Sequence, residues 1–377
     1  MRQTSSARGL FAVGALDRFI LKELMAPFFF GIMAFSVILV AGSLLFKIAD
    51  LVIQRGVSLG IVIRLFLYYL PRIVAMTIPM SCLLSALLGF GKLSANSELV
   101  ALKSAGLSFQ RIVRPVVVIS LFISIFAFMI NESLVPMSER AAANVMAYEV
   151  FKESPPVFKE KVFLREGSDS ALKRVIYINR LEIKTGRMQD IVIEEFENSR
   201  LVRMISAKSG EWINGSWWIT DGEVYEIIVD TGKVGRLFKF DKQALSLNLN
   251  PADLRSSTDN PDLMTITELY KAIKTNETLG GDNGKLWMIF NMRISVPWAC
   301  VVLALVGAAF GSRPQRTNSS VGLGVSVIIV FIYYVILSFS QSLGEAGYMP
   351  PLIAAWLANV VFLVIGGALC VRANRLG

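Results

Sequence analysis

Four cations lie inside or at the edges of long apolar runs: Lys47 in "FKIADLV", Arg64 and Arg72 in "IRLFLYYLPRI", and Arg293 in "NMRISV". An ionised side chain within hydrocarbon is costly, so each must pair with an acid, reach the headgroup layer or bind an anion. For Arg64 and Arg293 the simplest reading is snorkelling or pairing, with Asp50 or Glu132 as available acids. Lys47 and Arg72 are placed by the sequence at one depth just below one membrane face, where two cations can hold an anionic lipid headgroup. That chemistry is recognition of a charged group, with no bond made or broken.

Bond chemistry is poorly supplied elsewhere. The chain has no His, and its three Cys, Cys82, Cys300 and Cys370, each fall within an apolar run. Zinc sites, Ser/His/Asp triads and Cys/His nucleophiles are therefore excluded or disfavoured, and neither a catalytic residue nor a metal site is expected. "GFGKLS" and "GGDNGKL" lack the glycine spacing and following Ser or Thr of a phosphate-binding loop. The chain is thus expected to be no enzyme and to hold no cofactor, so any ATP it uses must be bound by a partner subunit.

The elements that position these cations are membrane spans. Hydrophobic residues make up 54% of the 377 and charged residues 18%. Their apolar content is gathered in segments about 20 residues long, the length that crosses a bilayer. Six candidates are Leu24–Phe46, Ile61–Phe90, Ile112–Ile130, Ile289–Phe310, Val321–Gln341 and Leu352–Val371. The second carries Pro71 and Pro79 and is expected to kink. The first has too long an apolar core for a cleaved signal and reads as an uncleaved anchor.

Lys and Arg outnumber Asp and Glu, 38 to 29, and their placement orients the chain rather than pointing to nucleic acid. Arg2, Arg8, Arg18 and Lys22 precede the first span, and Lys92, Lys103, Arg111 and Arg114 follow the second. Arg313, Arg316, Arg372 and Arg375 fall on the same side, whereas the opposite short loops hold only Lys47 and Arg55. The positive-inside rule then puts both termini and the Gly91–Arg114 loop in the cytoplasm.

The long insert falls on the other side. After a helix expected over Met137–Lys152, short alternating runs follow, among them "RVIYIN", "DIVIEEF", "LVRMISA", "SWWIT", "EVYEIIV" and "GRLFKF". Turn signals separate them: "KTGR", "INGS", "TDG" and "DTGK". This pattern predicts an antiparallel sandwich or jelly-roll with Trp212, Trp217 and Trp218 in its core. "LMTITELYKAIKT" then reads as a helix capped by Thr265 or Thr267. The domains are accordingly 1–132 (three spans), 133–286 (the β domain with flanking helices) and 287–377 (three spans).

Within the Gly91–Arg114 loop, Ala95, Leu99, Leu102 and Ala105 recur at helical spacing, Glu98 lies in the first turn, and Gly106 suits the end. The spacing predicts a short helix, about 18 Å long over Ser94–Gly106. It either lies on the bilayer surface or docks in a cleft of a soluble partner with Glu98 as anchor. "GAAFG", Gly307–Gly311, predicts close helix packing, and "PPLIAAW" predicts a helix start at Pro351 with Trp356 between helices.

These landmarks resemble the LptF/LptG permease family of the lipopolysaccharide export system over nearly the whole chain. The resemblance rests on "LDRFILKEL", "LPRIVAMTIPMSCLLSALLGFGKLSANSELVALKSAGLS", "VPMSERAAAN", "ISAKSGEW" and "GYMPPLIAAWLANVVF". It implies a bacterial inner-membrane permease of an ABC transporter with six spans, a periplasmic jelly-roll-like domain and a cytoplasmic coupling helix, 92–106. It implies an ATPase dimer, a second permease chain (a paralogue or a second copy), a periplasmic bridge protein and, where present, a single-span helper as partners. The cargo implied is lipopolysaccharide or a similar anionic lipid. Ser94, Glu98, Leu99, Leu102 and Gly106 would belong to the ATPase-coupling helix, and Lys47 and Arg72 look like the family cations that meet the phosphorylated headgroup. The competing expectation is a permease of another ATP-driven lipid or lipoprotein release system.

Overall fold

A computed structural model describes residues 14–151, 158–168, 171–182, 187–197, 200–213, 216–228, 233–245, 260–278, 282–312 and 319–375. Arg2, Arg8, Arg313 and Arg316, most of "KTGR" and "DTGK", and the centre of "INGS" lie outside them. The chain forms two compact units: residues 1–142 with 291–377, and residues 143–290.

The first unit is helical. Its elements are α1 (Ala15–Leu39), α2 (Leu45–Arg55), α3 (Leu59–Ala95), α4 (Glu98–Ser104), α5 (Phe109–Met129) and α6 (Val135–Val145), the last running on into the second unit. After the insert come α8 (Gly284–Gly311), α9 (Ser319–Glu345) and α10 (Pro351–Arg375). Among the described residues six apolar helical runs are long enough to cross a membrane, as the hydropathy predicts. Two of them, Ala15–Arg55 and Phe109–Val150, have 41 and 42 residues. At 1.5 Å per residue each extends to about 60 Å, twice a bilayer's hydrocarbon thickness. Hydropathy marks only where the apolar stretch stops; the helices continue as amphipathic segments through five-residue π-helical stretches at Val40–Leu44 and Ile130–Leu134. Both prolines expected to kink the second span lie inside the unbroken helix α3.

Close approach holds this bundle together. A Cβ placed on Gly307 of α8 would meet the Leu83 carbonyl oxygen of α3 at 2.5 Å, and one on Gly311 would meet the Leu87 oxygen at 2.5 Å. "GAAFG" therefore sets α8 directly on the α3 backbone, the packing its spacing predicts. The buried centre of α3 spans Thr77 to Leu87 without interruption, because this helix meets neighbours on several sides. A polar clasp adds specificity: the Tyr333 hydroxyl of α9 donates to Asn359 Oδ1 of α10 at 2.9 Å, and Asn359 Nδ2 donates to the Ser295 carbonyl of α8 at 2.7 Å. Helix α10 starts at Pro351, with Ala354 N donating to the Pro350 oxygen, and Trp356 packs against Trp298, ring centres 6.2 Å apart.

The second unit holds the antiparallel sheet. Strands β1 (Phe158–Ser168), β2 (Ala171–Glu182), β3 (Met188–Glu197), β4 (Arg200–Ile213), β5 (Ser216–Ile228) and β6 (Lys233–Leu245) pair in simple sequence order. An inserted antiparallel β domain is thus present as predicted, and its described strands form a meander. Its core gathers Ile176, Ile178, Ile191, Ile193, Ile205, Trp217 and Ile219. Trp212 and Trp217 stack edge-to-face across β4 and β5 at 5.1 Å, whereas Trp218 faces the other way beneath the Lys242 ammonium.

"TDG" is not a turn between strands, as its composition predicts, but lies inside β5. Asp221 takes a left-handed φ of 52°, and Asp190 in β3 one of 51°. At these points the inward alternation slips by one, from Met188 to Ile191 and from Ile219 to Val224. The pairing of β4 with β5 continues on both sides of the slip, so the strands bend without breaking their ladder. Helix α7 (Ile266–Thr278) carries a reciprocal cap: Glu268 N donates to Thr265 Oγ1 at 3.3 Å, and Thr265 N to Glu268 Oε2 at 2.8 Å. Thr265, not Thr267, is therefore the cap.

Candidate functional site

The loop after α3 positions the first group of expected site residues, and it differs from a single 13-residue helix. Ser94 still belongs to α3, where its hydroxyl donates to the Ser312 carbonyl at 3.4 Å. The chain then breaks at Asn96 and Ser97, the latter with φ 60°. Helix α4 spans only Glu98–Ser104, about 10 Å. Glu98 opens α4 and accepts a hydrogen bond from Asn96 Nδ2 at 3.2 Å. Gly106, at φ 83°, closes it: Leu107 N reaches the Leu102 oxygen and Gly106 N the Lys103 oxygen, a Schellman-type ending.

Leu99 and Leu102 point inward. Leu99 is 3% exposed and packs with Phe90, Leu93, Phe109 and Ile112, and Leu102 packs against the same cluster. They anchor α4 to its own bundle, away from its exposed face. That face is Ser97, Val100, Ala101 and Ser104, all exposed, with Val100 at 60%. The periodicity that reveals the helix marks its buried side, and the signal for the outer side is the set of small residues between the leucines.

Long-range contacts make α4 rigid. Lys103 Nζ donates to the Ala373 carbonyl at 2.8 Å and sits over the Phe109 ring, and Phe109 N donates to Asn374 Oδ1 at 3.1 Å. The last turn of α10 thus braces both ends of the α4–α5 corner. Lys92 pairs with Glu23 at 2.6 Å, and Arg111 grips both oxygens of Asp17 at 2.6 and 3.2 Å.

Three of the four intramembrane cations separate cleanly. Arg293 lies 3.9 Å from Glu132, the pairing expected for it. Arg72 donates to Glu139 at 2.6 Å, an acid the sequence reading did not connect with it. Lys47 is exposed on α2, and its ammonium has no ion pair or hydrogen bond among the described residues. The sharp turn at Gly56, φ 61°, joins the Lys47-bearing helix to the one that carries Arg72. Among the described residues no cluster of His, Cys, Asp and Glu could hold a metal ion.

A sequence profile described as lipopolysaccharide export system permease LptF/LptG matches residues 18–372. The chain belongs to the LptF/LptG family. It is similar to the lipopolysaccharide export system permease protein LptG of Escherichia coli K12, 26% identical over 96% of this chain and 99% of that protein. The LptG protein of Haemophilus influenzae is 23% identical over 94% of this chain and 97% of its own length. The LptF protein of E. coli K12 is 19% identical, with 85% of each chain covered. With six apolar helices and LptF/LptG membership, the chain is a multi-pass membrane protein of a permease family.

Proposed function

We propose that the chain is a permease subunit of a lipopolysaccharide export ABC transporter in the bacterial inner membrane, playing the LptG-like part. The full-length match to a family of lipopolysaccharide export permeases carries this reading, and the higher identity to LptG than to LptF, 26% against 19%, favours the G-like role. A second permease chain pairs with it, an ATPase dimer drives it, and a periplasmic bridge receives the lipid. The Lys and Arg distribution supports cytoplasmic termini and a periplasmic β domain.

Extraction of a multi-chain lipid opposes the hydrophobic effect by about 0.8 kcal/mol for each CH₂ exposed. Dozens of methylenes make spontaneous release negligible, so work must enter from the partner ATPase. Helix α4 is suited to receive it. Its outer face is made of small residues, its inner face is buried in the bundle, and Lys103 ties its last turn to α10. A push on Val100 and Ala101 therefore moves packed helices rather than bending a loop. Lys47, whose ammonium has no ion pair or hydrogen bond among the described residues, and Arg72, with donors beyond the one Glu139 takes, supply the charge for a phosphorylated headgroup.

The test is Val100→Glu in the complex purified with its ATPase. The expected result is loss of ATPase co-purification and lipid release with the melting temperature unchanged. Intact co-purification and release would reject α4 as the coupling element.

A further inference from the structure

A groove of about 220 Å³ opens between α1 and α5. Leu21, Met25 and Phe28 of α1 and Val116, Ile119 and Ile123 of α5 wall it, over a floor from α3. Two hydroxyls lie in its lining, and both are turned onto backbone: Ser85 Oγ donates to the Leu24 carbonyl at 2.6 Å and Ser120 Oγ to the Val117 carbonyl at 3.0 Å. The wall therefore makes no polar demand and suits an alkyl chain. Along α1 the lining runs from Leu21 to Phe29, about 12 Å of helix rise. Half the hydrocarbon of a bilayer is about 15 Å deep, whereas a spanning helix needs about 30 Å. The groove thus matches the depth of one leaflet's acyl chain and is too short to seat a transmembrane partner.

Its two ends differ. The edge-to-face pair Phe28–Phe29, ring centres 5.7 Å apart, lies at the mid-membrane end. The other end lies one turn from the Asp17–Arg111 pair, with Arg114 within electrostatic reach of the same carboxylate and Arg18 exposed beside it. Three guanidinium groups against one carboxylate leave a net positive rim where a headgroup would sit.

We propose that this groove holds one acyl chain of an anionic phospholipid, whose phosphate rests on Arg18, Arg111 and Arg114. The lipid belongs to the leaflet at the α1 N-terminus, the cytoplasmic one in the orientation proposed above. It is a resident lipid, bound away from Lys47 and Arg72, and it braces α1 against α5 next to the α4 corner.

Native mass spectrometry of the full chain, delipidated in detergent, tests this. The probes are phosphatidylglycerol and phosphatidylcholine of matched chains, with inorganic phosphate as the headgroup alone. The expected result is preferential retention of phosphatidylglycerol and no retention of phosphate. Arg114→Gln lowers phosphatidylglycerol binding about five-fold and spares phosphatidylcholine, and Leu21→Trp fills the groove and lowers both. Where Leu21→Trp fails to fold, Ile123→Trp blocks the groove from the α5 side. Equal retention of the two lipids, phosphatidylglycerol binding unchanged in the variants, or phosphate held as well as lipid would each overturn the proposal. Binding in detergent does not depend on orientation, so reversed topology in reporter fusions would change the leaflet and leave the site standing.

Discussion

The Arg72 guanidinium meets the Glu139 carboxylate at 2.6 Å, yet the two occupy different surroundings: the arginine side chain is 52% exposed and the glutamate 6%. Arg72 thus neutralises a buried acid with one nitrogen and presents the rest outward. Arg72→Ala should leave Glu139 buried and uncompensated, at a cost of about 1–3 kcal/mol, read as a lower melting temperature in detergent. Glu139→Gln should keep the fold and raise retention of anionic lipid, because it frees a positive charge. Unchanged retention in Glu139→Gln would remove Arg72 from the headgroup site.

Gly307 leaves no room for a side chain against the Leu83 carbonyl, whereas a Cβ on Gly367 would meet nothing within 4 Å. Gly307→Val should destabilise the bundle by about 1–3 kcal/mol or more, because backbone cannot yield as a flexible side chain can. Gly367→Ala should be neutral or mildly stabilising. Thermal melts of the two variants side by side check the contrast.

Tyr333, Asn359 and Ser295 form a buried polar chain across three helices. Tyr333→Phe removes one hydrogen bond and should cost about 0.6–1.5 kcal/mol. Asn359→Leu should cost more, since it removes both hydrogen bonds of the chain. A double-mutant cycle should give a coupling energy clearly different from zero; additive effects would mean that the contacts act independently.

Leu99 fills the bundle side of α4 at 3% exposure. Leu99→Ala should lower stability by about 2–5 kcal/mol through the cavity it opens. A stable Leu99→Ala variant that nevertheless lost its ATPase would return this leucine to the docking face.

In the β domain the Lys208 ammonium hydrogen-bonds Asp221 at the bend of β5 and holds its carboxyl below the usual value; Asp221 in turn raises the lysine. The depressed carboxyl contributes stability that is present above the ordinary aspartate range and is lost as pH falls through its lowered value. The raised lysine contributes stability that is present below the ordinary lysine range and is lost as pH rises through its raised value. Hydrogen exchange of the full chain near Lys208 and Asp221 should therefore be slowest, after correction for intrinsic rates, between the carboxylate and lysine ranges. Lys208→Met should flatten the acid limb.

The sequence by itself determined the six spans, the inserted β domain, close helix packing at "GAAFG", a cap at Thr265 or Thr267 and a helix start at Pro351. Each depends on a local sum or spacing: hydropathy over about 20 residues, alternation of period two, or a cap a few residues from its helix. Only the tertiary structure decided which side of α4 is free, because Leu99 and Val100 are both apolar and the bundle selects one of them. It likewise gave Arg72 a partner 67 residues away and placed Asn359 between two helices. It also kept "TDG" within β5, where flanking ladders hold a left-handed Asp221 that would otherwise favour a turn. The physical reason is common to all four: a residue's local preference allows several partners, and packing against segments distant in the chain selects one.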